Sequence, residues 1–541
     1  MRFSYTQKRE LKSYAQRSVV MAPRGVVASS QPLASMAGCR VLGEGGNAVD
    51  AAVATLATLS VVEPHMVGLG GDAFALIYLA ETDQMVGLNA SGRAPAAATP
   101  EWFASRGMDS MPEAGILTVT VPGALMGWAQ AVERYGRMDL ERLFREAVYY
   151  AEEGFPVSEV IAGEWHQAEA LLCRPQSAPG PFLPGGRAPR PGQVFRNPDL
   201  AGSLRLIAKQ GIETFYGGEL GRRIADFCRD QGGLLSLEDL AAHRVEWVEP
   251  ITRDYRGFTV CELPPNGQGV TALEILNILE GYDLAGLGHN SPRHLHLLIE
   301  AVKLAFADRD HFISDPQFVS VPVERMLSPE YGRHCRSLIH PDRAMPPPPP
   351  GAFPPGSDTV YVATADAEGN AVSFISSLFN PFGSGMVVEG TGIMLQSRGR
   401  SFCLDPKRAN CLQPGKRPFH TIIPAMLEQE GRFLMAFGVM GADMQPQGQV
   451  QFLCNLIDFG MNLQEAMDAP RVFRTQGSEV HFEEGIAPRT INRLLEMGHQ
   501  LDPTPSPVNK AGGGQAVWRD HQEGCWLAAS DRRKDGCAVG Y

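Results

Sequence analysis

The richest chemistry in this 541-residue chain sits at the junction Asp358–Thr359. A Pro-rich segment, Pro346 to Gly356, runs straight into it. From Thr359 the chain alternates as a strand does. Thr359, Tyr361 and Ala363 share one face, and Val360, Val362 and Thr364 share the other. Glu368–Gly369–Asn370 supplies turn chemistry, and Ala371 to Leu378 reads as a second strand. A Thr hydroxyl is a weak nucleophile until a base takes its proton. If the bond before Thr359 is cut, the new α-amine is that base, carried on the same residue. The plainer alternative is a linker followed by an ordinary strand start, and this stretch alone leaves both open.

Other stretches carry chemistry of their own. Leu434 to Phe437 reads as a strand ending in Gly438–Val439–Met440–Gly441–Ala442–Asp443, with a helix from Gln449 to Asp458 after it. Glycines at a strand-to-helix turn leave backbone N–H groups free for an oxyanion, and a tight turn alone explains them equally well. The run Glu63 to Asp72 holds Gly68, Gly70 and Gly71. It lacks the Lys-Ser/Thr of a phosphate loop and enters a strand, so it reads as close backbone packing near a site. Arg93 stands in the loop Asn89 to Pro95, either as a solvated charge or as a partner for a substrate carboxylate. His420, beside Pro418 and Phe419, is a hydrogen-bond donor or packed core. The thirteen His include no HExxH, and no CxxC occurs. No metal and no cofactor are predicted.

Around these residues the helical and strand patterns are regular. Ser29–Ser30–Gln31–Pro32 reads as a helix start with a Ser cap, stopped at Gly45–Gly46. Asn47 caps a second helix, Ala48 to about Val62, apolar nearly all round. Residues 115–153 read as a strand and then helices, and residues 198–243 as amphipathic helix. Tyr255 to Leu263 reads as a strand. Ser291–Pro292 opens a long helix to about Phe312. Pro414 to Pro418 begins a further strand region, and Gly512 to Arg519 and Cys525 to Ala529 are strand-like.

Composition sets the class. With 44% hydrophobic and 20% charged residues the chain has a sizeable core. A net charge of −12 without a basic block speaks against nucleic acid as a partner. No run of eighteen apolar residues occurs, so no membrane span is expected. The polar Met1 to Arg24 lacks the apolar core of a secretory signal, and ten scattered Cys suit reduced thiols. A cytoplasmic location is the expectation.

In order along the chain come Gly45–Gly46–Asn47–Ala48–Val49–Asp50, Val62–Glu63–Pro64–His65 with Gly68–Leu69–Gly70–Gly71, and Glu300 to Arg309. Then follow Asp358–Thr359 with Asp366 and Gly369–Asn370, Pro414 to Pro418, Asp458 to Asn462, and Ala469–Pro470–Arg471. With these blocks the chain resembles the gamma-glutamyltranspeptidase family of N-terminal-nucleophile hydrolases, from Gly25 to Tyr541. The resemblance implies an α+β class, with a four-layer αββα sandwich. It implies a precursor that cuts its own Asp358–Thr359 bond. Residues 1–24 would be an N-terminal extension, and 25–358 a large segment ending in the Pro-rich arm 341–358. Residues 359–541 would be a small segment, and the two would stay together as partners. It implies that Thr359 takes an acyl group from a small-molecule amide and passes it to water or an amine, as in a gamma-glutamyltransferase or glutathione hydrolase. Ser377 falls where the family has a hydroxyl beside the nucleophile. Gly441 and Ala442 fall where the family has a Gly-Gly pair donating to the oxyanion.

The residues that grip a γ-glutamyl head depart from the family pattern. The Arg position falls on Ser91, with Arg93 two residues on. Phe379 replaces an Asn, Ser401 an Asp, and His420–Thr421 a Ser-Ser pair. Arg398 falls near where the family reads the head group and suits an acidic substrate. The segment from Phe402 to Lys416 is short. The alternative function is therefore an amidohydrolase for a small non-glutamyl amide, oxamate-like or acylase-type. A further alternative is an uncleaved, inactive binding protein.

Overall fold

The computed structural model describes residues 15–175, 177–346, 358–475, 479–502 and 511–541, with Asp358 described by its backbone. Most of the Pro-rich arm therefore lies outside the described residues, as do the side chain at the expected cleavage site and the first part of the N-terminal extension. Val20–Ala22, from the end of that extension, is an edge strand.

Two antiparallel sheets of seven strands form the middle of the molecule. The first runs Cys537–Gly540, Val26–Ser29, Asp358–Ala365, Ala371–Phe379, Asp72–Leu79, Gln84–Ala90, Glu246–Val248. The second runs Val20–Ala22, Cys525–Ser530, Gly513–Asp520, Arg432–Met440, Ala425–Gln429, Phe258–Glu262, Ile251–Tyr255. Alternation assigns each strand's two faces to different layers. Tyr361, Ala363 and Ile375 of the first sheet pack with Met426, Ala436 and Val517 of the second. Val360, Val362 and Phe374 point the other way, into a core shared with the helix Ala48–Val62. Met435, Phe437 and Ala516 leave the second sheet on its far side, toward the helices Gly269–Leu279, Pro292–Phe312 and Met444–Ile457. Helix, sheet, sheet, helix is the four-layer αββα sandwich.

Local chemistry explains the elements nearest the site. Asn47 accepts from Val49 and Asp50 N–H while Asp50 returns a bond to the Asn47 N–H, a complete capping box. The helix it starts is buried along its whole length. The preceding helix, Pro32–Gly43, is capped by Gln31 and not by a Ser. The Ser hydroxyls are engaged elsewhere, Ser29 with Ser35 and Ser30 with Glu63. No strand forms near 115–123. Ile116–Thr118 is a 3-10 turn, and the N–H groups of Gly123 and Ala124 both reach Gly71 O, leaving no ladder to join. Tyr255 to Leu263 is two strands, because Arg256 and Gly257 turn through positive φ. Beyond Pro418 the strand begins only at Ala425. Phe419 N and Ile423 N donate to the side chains of Asn410 and Gln445. The helix expected from Gln449 starts at Met444. Its Gln447, Gln449 and Gln451 are buried and bond to backbone carbonyls, which hides an inward face behind a polar sequence.

Candidate active site

Thr359 lies at an irregularity in the central ladder. Asp358 pairs with Phe379 and Val360 with Ser376, so Thr359 faces both Leu378 and Ser377. A bulge of this kind re-aims side chains. Here it sets the Thr359 hydroxyl 3.4 Å from Ser377 Oγ, at the end of the layer between the sheets. Thr359 is 1% exposed. Phe379, opposite the Asp358 backbone, is held at φ +81, which is strained for a side chain of its size, and its N–H donates to Ser377 Oγ.

A buried arginine completes this corner. Arg398 Nη2 donates to Ser377 Oγ at 3.3 Å and Nη1 to Thr421 Oγ1 at 2.9 Å. The guanidinium lies 4.3 Å from the centre of the Phe379 ring. Its Nε has no hydrogen-bond partner among the described residues and stands 4.0 Å from Asp72 Oδ2. Burial pushes Arg398 down to about 9, against the pull of Asp72, so it is cationic at neutral pH. Asp72 is fixed by Gly92 N–H at 2.8 Å, Gln396 Nε2 at 3.1 Å and His420 Nε2 at 3.1 Å. Burial raises the Asp72 pKa, but the His420 bond and the nearby charges outweigh it and the net shift is downward. Burial drives His420 down to about 4. It is therefore neutral, with Nε2–H given to Asp72 and Nδ1 accepting from Ile422 N–H. Gly71 permits this assembly, because a Cβ there would stand 2.5 Å from Ser377 O.

On the other side, Gln445 Nε2 donates to Thr359 Oγ1 at 3.4 Å, and Gln445 Oε1 accepts from Ile423 N–H. Gln445 lies in the first turn of the helix Met444–Ile457. Gly441 and Ala442 come just before that helix, at φ +116 and +49. Their carbonyls accept from Met444 and Gln445 N–H, while their own N–H groups donate to no backbone acceptor among the described residues. A helix N-terminus with free N–H groups suits a developing negative charge.

The expected residues divide clearly. Thr359, Ser377, Arg398 and Thr421 are joined by hydrogen bonds, and His420 reaches them through Asp72. Ser401 is buried, and its Oγ has no hydrogen-bond partner among the described residues. Arg93 is turned elsewhere, onto Gly415 O, Glu246 and Gln317, in a charge network with Arg417 and Asp315. Its guanidinium makes no bond to the Thr359 corner among the described residues. Sequence reasoning passed over Gln445 and the role of Asp72. The glycine run ending at Asp72 was the available signal, whereas nothing marks Gln445. The described residues also include a buried His296–Glu300–His499 group with metal-like spacing. There the Lys303 ammonium, 2.7 Å from Glu300, already supplies the cation.

The family profile described as Gamma-glutamyltranspeptidase matches residues 34–541. The chain is 40% identical over 527 residues to the glutathione hydrolase-like YwrD proenzyme of Bacillus subtilis, covering 96% of this chain and 99% of that one. It is 38% identical to the oxamate amidohydrolase proenzyme of Klebsiella pneumoniae, over 96% and 99% of the two chains. The fold superposes on the crystal structure of cephalosporin acylase from Bacillus halodurans with a TM-score of 0.92, 43% identity and 99% coverage of each chain. Fold, ordered sequence blocks and relatives agree: the chain belongs to the gamma-glutamyltranspeptidase family, enzymes of the N-terminal-nucleophile hydrolase type that hydrolyse amides or transfer their acyl groups.

Proposed function

We propose that the chain is a proenzyme that cuts its own Asp358–Thr359 bond and then uses Thr359 to hydrolyse a small amide whose acyl part carries a carboxylate. The observation behind this reading is the Thr359–Ser377–Arg398 chain of contacts, which sets a buried cation one hydroxyl away from the candidate nucleophile. In processing, Thr359 Oγ attacks the Asp358 carbonyl carbon and the peptide C–N bond breaks. The resulting ester is hydrolysed by water, leaving a carboxylate on Asp358 and a free α-amine on Thr359. In turnover that amine takes the hydroxyl proton as Oγ attacks the substrate carbonyl. The oxyanion forms against the Gly441 and Ala442 N–H groups. The proton passes to the departing amine, and water then releases the acyl group from Thr359.

Arg398 uses one N–H of each terminal nitrogen on a hydroxyl, which leaves one on each for an incoming carboxylate. Among the described residues of this corner an α-ammonium has no comparable partner. Ser401 and Phe379 are uncharged, and Asp72 is already engaged by Gly92, Gln396 and His420. A buried ammonium without a counter-charge costs several kcal/mol. The similarity to a glutathione hydrolase-like proenzyme favours a second reading, γ-glutamyl hydrolysis or transfer by the same Thr359 chemistry.

Intact masses of the purified protein test the processing step. Two chains, the second starting at Thr359, are expected from the wild type, and one uncut chain from Thr359→Ala. An uncut wild type after long incubation refutes the reading. Amine release from a glutaryl anilide and ammonia release from oxamate, compared with γ-glutamyl anilide, separate the two substrate classes.

A further inference from the structure

Gln268 has no part in the chemistry above, yet its one side chain joins both ends of the site. It ends the turn that starts at Pro264 and is fully buried at the start of the helix Gly269–Leu279. Its Nε2 donates to Thr421 O at 2.7 Å and to Ala442 O at 2.9 Å. Its Oε1 accepts from Arg309 Nη1 at 3.1 Å, and the same nitrogen donates to Asp443 Oδ1 at 2.7 Å. Arg309 can only donate, so it fixes which way the Gln268 amide faces. With Oε1 toward Arg309, both amide hydrogens face the two carbonyls. Gln268 N–H also bonds His420 O, and His420 N–H bonds Asn266 O.

The carbonyl held at Ala442 matters because that residue sits at φ +49, where a side chain is disfavoured. Such a conformation persists when its surroundings over-determine it. Gln445 N–H and Gln268 Nε2 both fix this carbonyl, and with it the Gly441–Ala442 turn that leads into Gln445, whose side chain donates to Thr359 Oγ1. The other arm of the same amide fixes Thr421, whose hydroxyl supports Arg398.

We infer that Gln268, oriented by Arg309, is a positioning residue that sets the oxyanion turn against the Thr421–Arg398 end of the site. This rests on the reading of Thr359 as nucleophile. Intact mass, active-site titration by the acyl burst, and steady-state kinetics on the glutaryl anilide test it in Gln268→Met and Arg309→Lys. Expected for Gln268→Met is a self-cleaved protein whose kcat per titrated site falls about 10- to 100-fold, with KM changed less than about threefold. Arg309→Lys, which keeps a cation for Asp443, gives a smaller fall of the same kind. A purely structural role lowers the titrated fraction and leaves kcat per site unchanged. That result in both variants overturns the inference. If Gln268→Met does not fold, Arg309→Lys decides alone. An uncut wild type overturns the Thr359 reading instead, in the same mass measurement.

Discussion

Replacing Arg398 by Gln separates substrate binding from scaffolding at the Thr359 corner. The change removes the cation but keeps a polar side chain that reaches toward Ser377 and Thr421. Asp72 is not orphaned by it, since Gly92 N–H, Gln396 and His420 remain as donors. The fold and self-cleavage are therefore expected to survive. What is lost is the pair of guanidinium N–H groups left over after the bonds to Ser377 and Thr421. Hydrogen bonds to a charged group contribute about 1.5–3 kcal/mol each, so two amount to about 3–6 kcal/mol. At about 1.36 kcal/mol per decade this is roughly a 100- to 10,000-fold loss in kcat/KM for an anionic acyl group. The assay compares glutaryl anilide with its methyl ester on both proteins, with active sites counted by titration. The wild type should prefer the acid, and Arg398→Gln should lose that preference while its activity on the ester changes less than about tenfold. Equal losses on acid and ester would refute the reasoning. They would place Arg398 in the support of Ser377 and Thr421 and away from the substrate.

Two further outcomes follow from the same corner. Ala442→Gly removes the side chain from a residue at φ +49, which relieves about 1–2 kcal/mol. It also loosens the unfolded chain by about 0.4–1 kcal/mol. The variant should be as stable as the wild type or up to about 1.5 kcal/mol more stable in chemical denaturation, and a clear loss of stability contradicts the left-handed assignment. Buried histidines should also lose their contribution to stability with acid in a defined window. His420 and His243 are held down to about 4 from an ordinary 6.5, chiefly by burial. As pH falls through 6.5 the unfolded chain takes up these protons before the folded one does. The histidine contribution to folding is therefore level above about 6.5 and declines from there to 4, and the depressed Asp72 pKa extends the loss below 3.8, while the buried Glu63, Glu262 and Glu274, raised by burial, contribute in the opposite sense. The loss of Tm between pH 6.5 and 4 should be smaller in His243→Asn than in the wild type, and an equal loss contradicts this.

The sequence alone determined what depends on near neighbours. Alternation from Thr359 separated Tyr361 and Ala363 from Val360 and Val362, and the fold then put the first pair between the sheets and the second in the helical layer. Asn47 and Ser291 announced the helices Ala48–Val62 and Pro292–Phe312 through caps a few residues from the bonds they make. The ordered motif blocks carried the family and, through it, the four layers. Where a polar residue had competing partners, local reading failed, as it did when Ser29 and Ser30 turned inward and Gln31 took the cap. The site belongs to the tertiary structure. Asp72 and His420 meet across 348 positions of sequence, and Gln445 reaches Thr359 across 86. Arg93 and Arg398 look alike as isolated charges. One is drawn to Glu246 at a half-exposed edge, and the other is buried against Ser377 and Phe379. The free energy of each contact depends on what the folded sheets bring beside it, and no local spacing encodes that.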